Sequence, residues 1–206
     1  MNGKIISKDI RLILASGSPR RRELLESLGI RFEVIPSDVD ESFLPLETPH
    51  EGVMRLALEK AGEVSQAFRN YWTLGADTIV VIEGKILGKP LDKEEAALML
   101  GSLTGRIHEV YTGYALLNSA CMDLAVSGYS RSEVFIRDLS SGEIQEYVET
   151  GEPLDKAGAY AIQGLGAAIV QRINGSYTNV VGLPLCEVAR ELKRLQIYDF
   201  LKARKQ

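Results

Sequence analysis

The spacing of apolar and polar positions divides the chain into alternating strand-like and helix-like segments. Arg11 to Ala15 is a short apolar run and predicts a buried strand, and Phe32 to Ile35 predicts a second. Between them Ser18 has the character of a helix N-cap, Pro19 suits the first helical position, and Gly29 ends the helix. Thr48-Pro49-His50-Glu51 has the form of a capping box, in which the threonine and the glutamate satisfy each other's backbone N–H groups. The helix that follows carries Val53, Leu56, Ala57, Ala61 and Val64 on one face. Trp72 to Ile82 is a long β-forming stretch, and Glu83-Gly84-Lys85 predicts a turn into Ile86-Leu87. Asp92 with Glu95 predicts another capping box, on a helix that ends near Thr104, before Gly105. His108 to Leu117 and Leu124 to Ile136 predict long strands joined by a turn near Asn118. Ser140 with Glu143 starts a fourth helix, with Ile144, Tyr147 and Val148 inward. Ala167 to Ile173 predicts a strand, and Leu185 to Leu195 a helix whose Val188, Ala189 and Leu192 face the core. A long hairpin set among alternating strands and helices predicts an α/β fold with a mixed sheet rather than a purely parallel one.

No repeat, low-complexity tract or linker interrupts this pattern, so residues 1–206 are read as a single domain. At 45% hydrophobic and 25% charged, the chain has the composition of a soluble globular protein. No apolar run approaches the length of a membrane span, and Met1 to Lys8 lacks the apolar centre of a signal peptide. Both observations predict a cytoplasmic protein without a membrane partner. The net charge of −4 argues against broad nucleic-acid binding while leaving room for a locally basic cleft. Cys121 and Cys186 lie far apart without CxxC spacing, which argues against zinc and predicts reduced, structural cysteines. Neither His50 nor His108 sits near a nucleophile signal, so a Ser-His-Asp triad is not indicated.

Six segments carry candidate chemistry. In Ser16-Gly17-Ser18-Pro19-Arg20-Arg21-Arg22 a strand feeds a helix start, whose free N–H groups favour an anion. Three arginines there oppose the helix dipole, and a bound anion would reconcile them; a solvated basic helix start is the alternative. The Walker pattern is absent, and a superficial likeness to the Gly-rich loop of sugar nucleotidyltransferases makes a transferase one rival. Gly75-Ala76-Asp77-Thr78 places a carboxylate in an apolar strand, where it must be salt-bridged, metal-bound or at an open edge. Lys60 lies on the apolar stripe of its helix, four residues after Leu56, and either snorkels to water or reaches into a cleft. Gly88-Lys89-Pro90 offers a loop lysine, and Asp38-Val39-Asp40-Glu41 an acidic stretch. In Asp155 to Gly166 the glycines permit close approach to a ligand, and the Gln163 amide can read a planar base or simply sit in an irregular loop. Together the segments supply cations for a polyphosphate, carboxylates for a metal and a water, and a polar loop for a base.

In this order, Ala15-Ser16-Gly17-Ser18-Pro19-Arg20-Arg21, Gly75-Ala76-Asp77-Thr78, Gly88-Lys89-Pro90 and Asp155-Lys156-Ala157-Gly158-Ala159-Tyr160 resemble the signature segments of the Maf family of nucleotide pyrophosphatases. Asn174-Gly175-Ser176-Tyr177 and Val181-Gly182-Leu183-Pro184 match as well, so the resemblance runs from Ile10 to about Leu195. It implies an elongated mixed sheet flanked by helices, similar to inosine triphosphate pyrophosphatases, with a cleft between two lobes. It implies hydrolysis of a nucleoside triphosphate between the α- and β-phosphates, and removal of non-standard nucleotides as a further role. Asp77 matches the family's proton acceptor, and Arg20, Arg21, Lys60 and Lys89 its phosphate-binding cations. Glu41 matches an acidic metal-site position, so Asp77 and Glu41 would hold a divalent cation, Mg²⁺ or Mn²⁺. Ser16 belongs to the substrate loop, and Arg20, Thr78 and Gln163 match positions linked to substrate choice. Tyr160 through Gln163 resembles the branch acting on dTTP and UTP rather than on 7-methyl-GTP. A non-catalytic nucleotide-binding regulator of cell division is the other rival. The sequence leaves the oligomeric state open, a homodimer among the options.

Overall fold

The computed structural model describes residues 11–120 and 126–199. Strands β1 (Leu12–Leu14) and β2 (Phe32–Val34) flank helix α1 (Pro19–Glu26), and α2 (Pro49–Ala67) leads into β3 (Trp72–Ile82). A tight turn joins β3 to β4 (Lys85–Leu87), and α3 (Lys93–Leu103) follows. Strands β5 (Ile107–Leu117) and β6 (Val126–Ile136) precede α4 (Ser141–Glu149), then β7 (Val170–Asn174), α5 (Tyr177–Val181) and α6 (Leu185–Arg194). The strands pair in the order β2-β1-β3-β5-β6-β7, with β4 on β3. β1 runs parallel to β2 and β3, whereas β3–β4 and β6–β7 are antiparallel, so the sheet is mixed as the element pattern predicts.

The predicted helix starts form for the reasons given. The Ser18 hydroxyl caps α1, and the reciprocal Thr48–Glu51 and Ser140–Glu143 boxes start α2 and α4. Asp92 caps α3 by accepting from Glu95 N at 2.8 Å. The Glu95 carboxylate takes Leu91 N instead of Asp92 N, so this start is a cap with a shifted partner rather than a reciprocal box. β7 begins at Val170, because Gly164–Ala168 tightens into a 3₁₀ turn before it. Cys121, the predicted start of a strand at Leu124 and the reading of Met1 to Lys8 lie outside the described residues. Cys186 is free, as expected of a reduced cysteine, and it is exposed rather than part of a core.

The chain divides into two compact units. The first takes the chain through Asp77, then Gly113–Tyr129, and again from Gly182; the second holds Thr78–Thr112 and Ser130–Val181. In the first unit, alternation along the strands sorts side chains onto two faces. Leu12, Leu14, Leu74, Ala76 and Leu116 meet Leu25 of α1 and Val188 and Leu192 of α6. On the other face Ile13 and Ala15 meet Val64, and Ala115 meets Ala57 and Ala61, all from α2. Glycine makes that contact possible. A Cβ on Gly75 would stand 2.1 Å from the Ala57 carbonyl oxygen, and one on Gly113 2.2 Å from that of Val53, so α2 lies directly on backbone. In the second unit, Val80, Ile82, Leu87, Leu100, Leu103, Val110, Val134, Ile136 and Val148 form a separate core.

Candidate active site

Asp77 follows Gly75 by two residues on β3 and so shares the face that α2 covers. Lys60 follows Ala57, the residue touching Gly75, by three positions, which is the same side of the helix. The close approach of helix and strand therefore brings the two charged side chains together. Lys60 Nζ donates to Asp77 Oδ1 at 2.6 Å and to Glu41 Oε1 at 2.7 Å. Lys60 and Asp77 are 5% and 6% exposed, so this is a buried ion pair, while half of the Glu41 side chain reaches solvent. Of the two readings open for Lys60, the structure selects the inward one.

Arg21 joins them from α1. Its Nε donates to the Gly182 carbonyl at 2.8 Å and its guanidinium to Ser16 Oγ at 3.1 Å, while Ser16 Oγ also accepts from Ser18 N. Burial lowers the pKa of Arg21 from its ordinary value; the carboxylates of Asp77 and Glu41 oppose that shift, and the like charge of Arg20 adds to it. Arg20, Glu41 and Asp77 therefore all act electrostatically on Arg21 within the first unit. Arg22 does not take part, because it pairs with Glu26 on the exposed side of α1.

Glu41 sits in a segment without regular structure, and residues not singled out by sequence hold that segment. Arg55 of α2 grips Glu47 with two bonds of 2.7 and 2.8 Å and donates to the Ser42 carbonyl at 3.0 Å. Asp38 N donates to Glu63 at 2.8 Å. Arginine forks onto carboxylates are common on any surface, so no sequence signal separates this one from an ordinary ion pair.

The second unit holds the remaining predicted site residues. Thr78 Oγ1 lies 3.0 Å from Thr112 Oγ1. Lys89 is exposed on the loop after β4, and its neighbour Gly88 accepts a hydrogen bond from Gly158 N at 3.0 Å, which joins two of the signature segments. Gln163 is half-buried, and its amide makes no hydrogen bond among the described residues. The loop that carries it is fixed on both sides. Tyr160 bonds His108 Nε2 at 2.7 Å, Tyr147 Oη accepts from Ala161 N, and Glu152 accepts from Leu165 N and Gly166 N. Burial pushes His108 down to about 4, so the imidazole is neutral at ordinary pH, and raises the Tyr160 hydroxyl well above its ordinary value.

Asp77 and Glu41 bond one ammonium, and no cluster of three or more potential metal-ligating side chains occurs among the described residues. Two carboxylates are too few to enclose a metal. They fit an ion such as Mg²⁺, which keeps waters and takes its remaining ligands from substrate phosphates.

Residues 11–195 match the model of the Maf-like protein family. The chain is 52% identical over 189 residues to the dTTP/UTP pyrophosphatase of Syntrophotalea carbinolica, covering 91% of this chain and 86% of that protein. It is 50% identical over 187 residues to the dTTP/UTP pyrophosphatase of Bacillus thuringiensis, covering 91% and 96%. Among solved structures, a HAM1 protein from Coxiella burnetii aligns over 90% of this chain and 99% of its own, at 17% identity and a TM-score of 0.47.

Proposed function

The chain belongs to the Maf-like protein family, and we propose that it hydrolyses dTTP and UTP to the nucleoside monophosphate and pyrophosphate. The observation that carries this reading is the buried Asp77–Lys60 pair, with Glu41 on its solvent side and Arg21 beside it, in a chain half-identical to proteins named for that activity. Asp77 orients a water and takes its proton as the water oxygen bonds to the α-phosphorus. The bond from that phosphorus to the α–β bridging oxygen breaks, and pyrophosphate leaves with the bridging oxygen. Lys60 holds the Asp77 carboxylate in one orientation, so little reorganisation is needed at the moment of attack. Arg20, Arg21 and Lys89 neutralise the phosphates, and Ser16 steadies the Arg21 guanidinium. A divalent cation held by Asp77 and Glu41 would neutralise charge on phosphate oxygens. Thr78 and Gln163 recognise the base, with the Gln163 amide able to donate to a base carbonyl. We place the activity in the cytoplasm, consistent with the absence, among the described residues, of a helix long and apolar enough to cross a membrane.

The test is incubation of the pure protein with a panel of nucleoside triphosphates, divalent metal and no acceptor. Equal amounts of monophosphate and pyrophosphate from dTTP and UTP are expected. Binding without turnover would make the protein a nucleotide-binding regulator, and turnover only with an added sugar phosphate would make it a nucleotidyltransferase.

A further inference from the structure

The segment before α2 folds back along that helix, and its contacts step down α2 in order. Asp38 N donates to Glu63 at 2.8 Å, Glu41 accepts from Lys60 at 2.7 Å, and the Ser42 carbonyl accepts from Arg55 at 3.0 Å. The Phe43 ring then covers Gly52, where a Cβ would stand 2.0 Å from a ring carbon. The Asp40 carboxylate accepts from Ser42 N and Ser42 Oγ at 3.0 and 2.7 Å and closes a turn around Glu41. Arg55 ties this turn to the helix at several points. Besides the Ser42 carbonyl it holds Glu47 in a fork of 2.7 and 2.8 Å bonds, and the same carboxylate accepts from Leu44 N at 3.0 Å. Its remaining nitrogen reaches Glu59, one turn further along α2. The Arg55 and Glu47 side chains are only 22% and 8% exposed, so this fork is unlike a solvated surface pair, which would hold little.

We propose that Arg55 is a positioning residue that acts on Asp77 through Glu41. Glu41 lies outside any helix or strand, so no regular backbone ladder fixes it. Its place is set by side chains, and Arg55 makes the bonds on either side of Phe43, at Ser42 and, through Glu47, at Leu44. Lys60 Nζ stands between Glu41 and Asp77 and donates to both, so the direction of the ammonium depends on both carboxylates. With Glu41 held, Lys60 is kept turned with one hydrogen on Asp77 Oδ1. With Glu41 released, Lys60 answers to a single carboxylate, and Asp77 gains orientations that do not favour attack. The loss is one of preorganisation, which acts on the chemical step more than on substrate binding. The proposal rests on the reading of Asp77 as the base and of Glu41 as a member of its site.

The experiment is a double-mutant cycle. It measures kcat and KM for UTP at saturating Mg²⁺ on the wild type, Arg55→Met, Glu41→Ala and the double variant, with circular dichroism as the folding control. Methionine keeps an apolar stem and removes the fork. Arg55→Met should lower kcat by roughly 5- to 30-fold with little change in KM, the size expected for groups coupled by contact. In the Glu41→Ala background the same change should cost less than about twofold, because the side chain that Arg55 places is gone. General loosening of the protein lowers kcat by the same factor in both backgrounds, so additive effects overturn the proposal. Arg55→Lys keeps the charge but cannot fork onto Glu47 and reach Ser42 together, so its kcat should fall between those of the wild type and Arg55→Met. A lysine variant equal to the wild type overturns the proposal, since charge alone would then suffice. Amide hydrogen exchange across residues 38–47 should be faster in Arg55→Met, and unchanged exchange also overturns it. Should Arg55→Met not fold, Glu47→Gln breaks the fork from its other side and takes its place in the cycle. A Glu41→Ala enzyme with wild-type kcat defeats the site reading itself, whereas a slow Glu41→Ala enzyme with additive effects defeats this proposal alone.

Discussion

Strand β3 passes from one kind of chemistry to another between two consecutive residues. Up to Asp77, in the first unit, the polar side chains that converge are charged: a carboxylate, an ammonium and a guanidinium, with a second carboxylate from a loop. From Thr78 onward, in the second unit, they are hydroxyls and an amide bonded to one another, and a neutral imidazole bonded to a tyrosine hydroxyl. The difference matches what each would recognise. Coulomb attraction is strong but tolerant of direction, and it suits the triphosphate that all nucleotides share. Hydrogen bonds discriminate, because a wrong partner leaves a buried group unpaired, and they suit the base, in which nucleotides differ.

Breaking the charged side should have the largest effects. Chelating divalent cations should reduce turnover to background, and adding Mg²⁺ or Mn²⁺ should restore it; full turnover in excess chelator would remove the metal from the mechanism. Asp77→Asn keeps the shape and removes the base, so kcat should fall by roughly 10²- to 10⁴-fold. Circular dichroism should show a folded protein, and a folded variant with near-wild-type kcat would take Asp77 out of its role.

The neutral side should respond more gently and selectively. Gln163→Glu replaces the donor half of the amide by a second acceptor. It should lower kcat/KM for UTP by roughly 5- to 150-fold with little change in stability. Profiling UTP, dTTP, CTP, GTP and 7-methyl-GTP checks this, and an unchanged profile would show that the loop does not read the base.

The smallest effect concerns stability. His108 falls from its ordinary 6.5 to about 4 because it is buried. Between those values the unfolded chain binds more protons than the folded one, so stability is lost as pH falls through this window and is regained above it. The loss from pH 7 to pH 5 is roughly 2 kcal/mol from this group. Urea unfolding at the two pH values should show a smaller difference in His108→Gln than in the wild type; equal differences would mean that the burial of His108 does not govern acid sensitivity.

The elements best read in advance are those governed by neighbours in the chain. Ser18, Asp92 and Ser140 start their helices because a short polar side chain can reach an N–H three residues on, and Glu51 reaches back to Thr48 N in the same local way, whatever surrounds them. Trp72 to Ile82 forms a strand over the predicted span because β-branched residues fit a pleated, buried surface. The short α5 and the 3₁₀ turns between Glu152 and Ala168 carry no such periodicity, and tertiary partners such as Ser132 and Tyr147 hold them.

The same division runs through the site. By itself the sequence determined which side chains could do chemistry, because a carboxylate in an apolar strand and a lysine on an apolar helix stripe both require a partner when buried. It could not say that they are each other's partner. That was decided by α2 lying directly on Gly75, since only contact between residues distant in the chain brings Lys60 to Asp77. Nor could it say that the Thr78 hydroxyl meets Thr112, which in turn donates to the Asn179 carbonyl. A hydroxyl rotates freely until its neighbours engage it, and Thr112 and Asn179 come from other strands and helices, so only the tertiary structure brings them to this place.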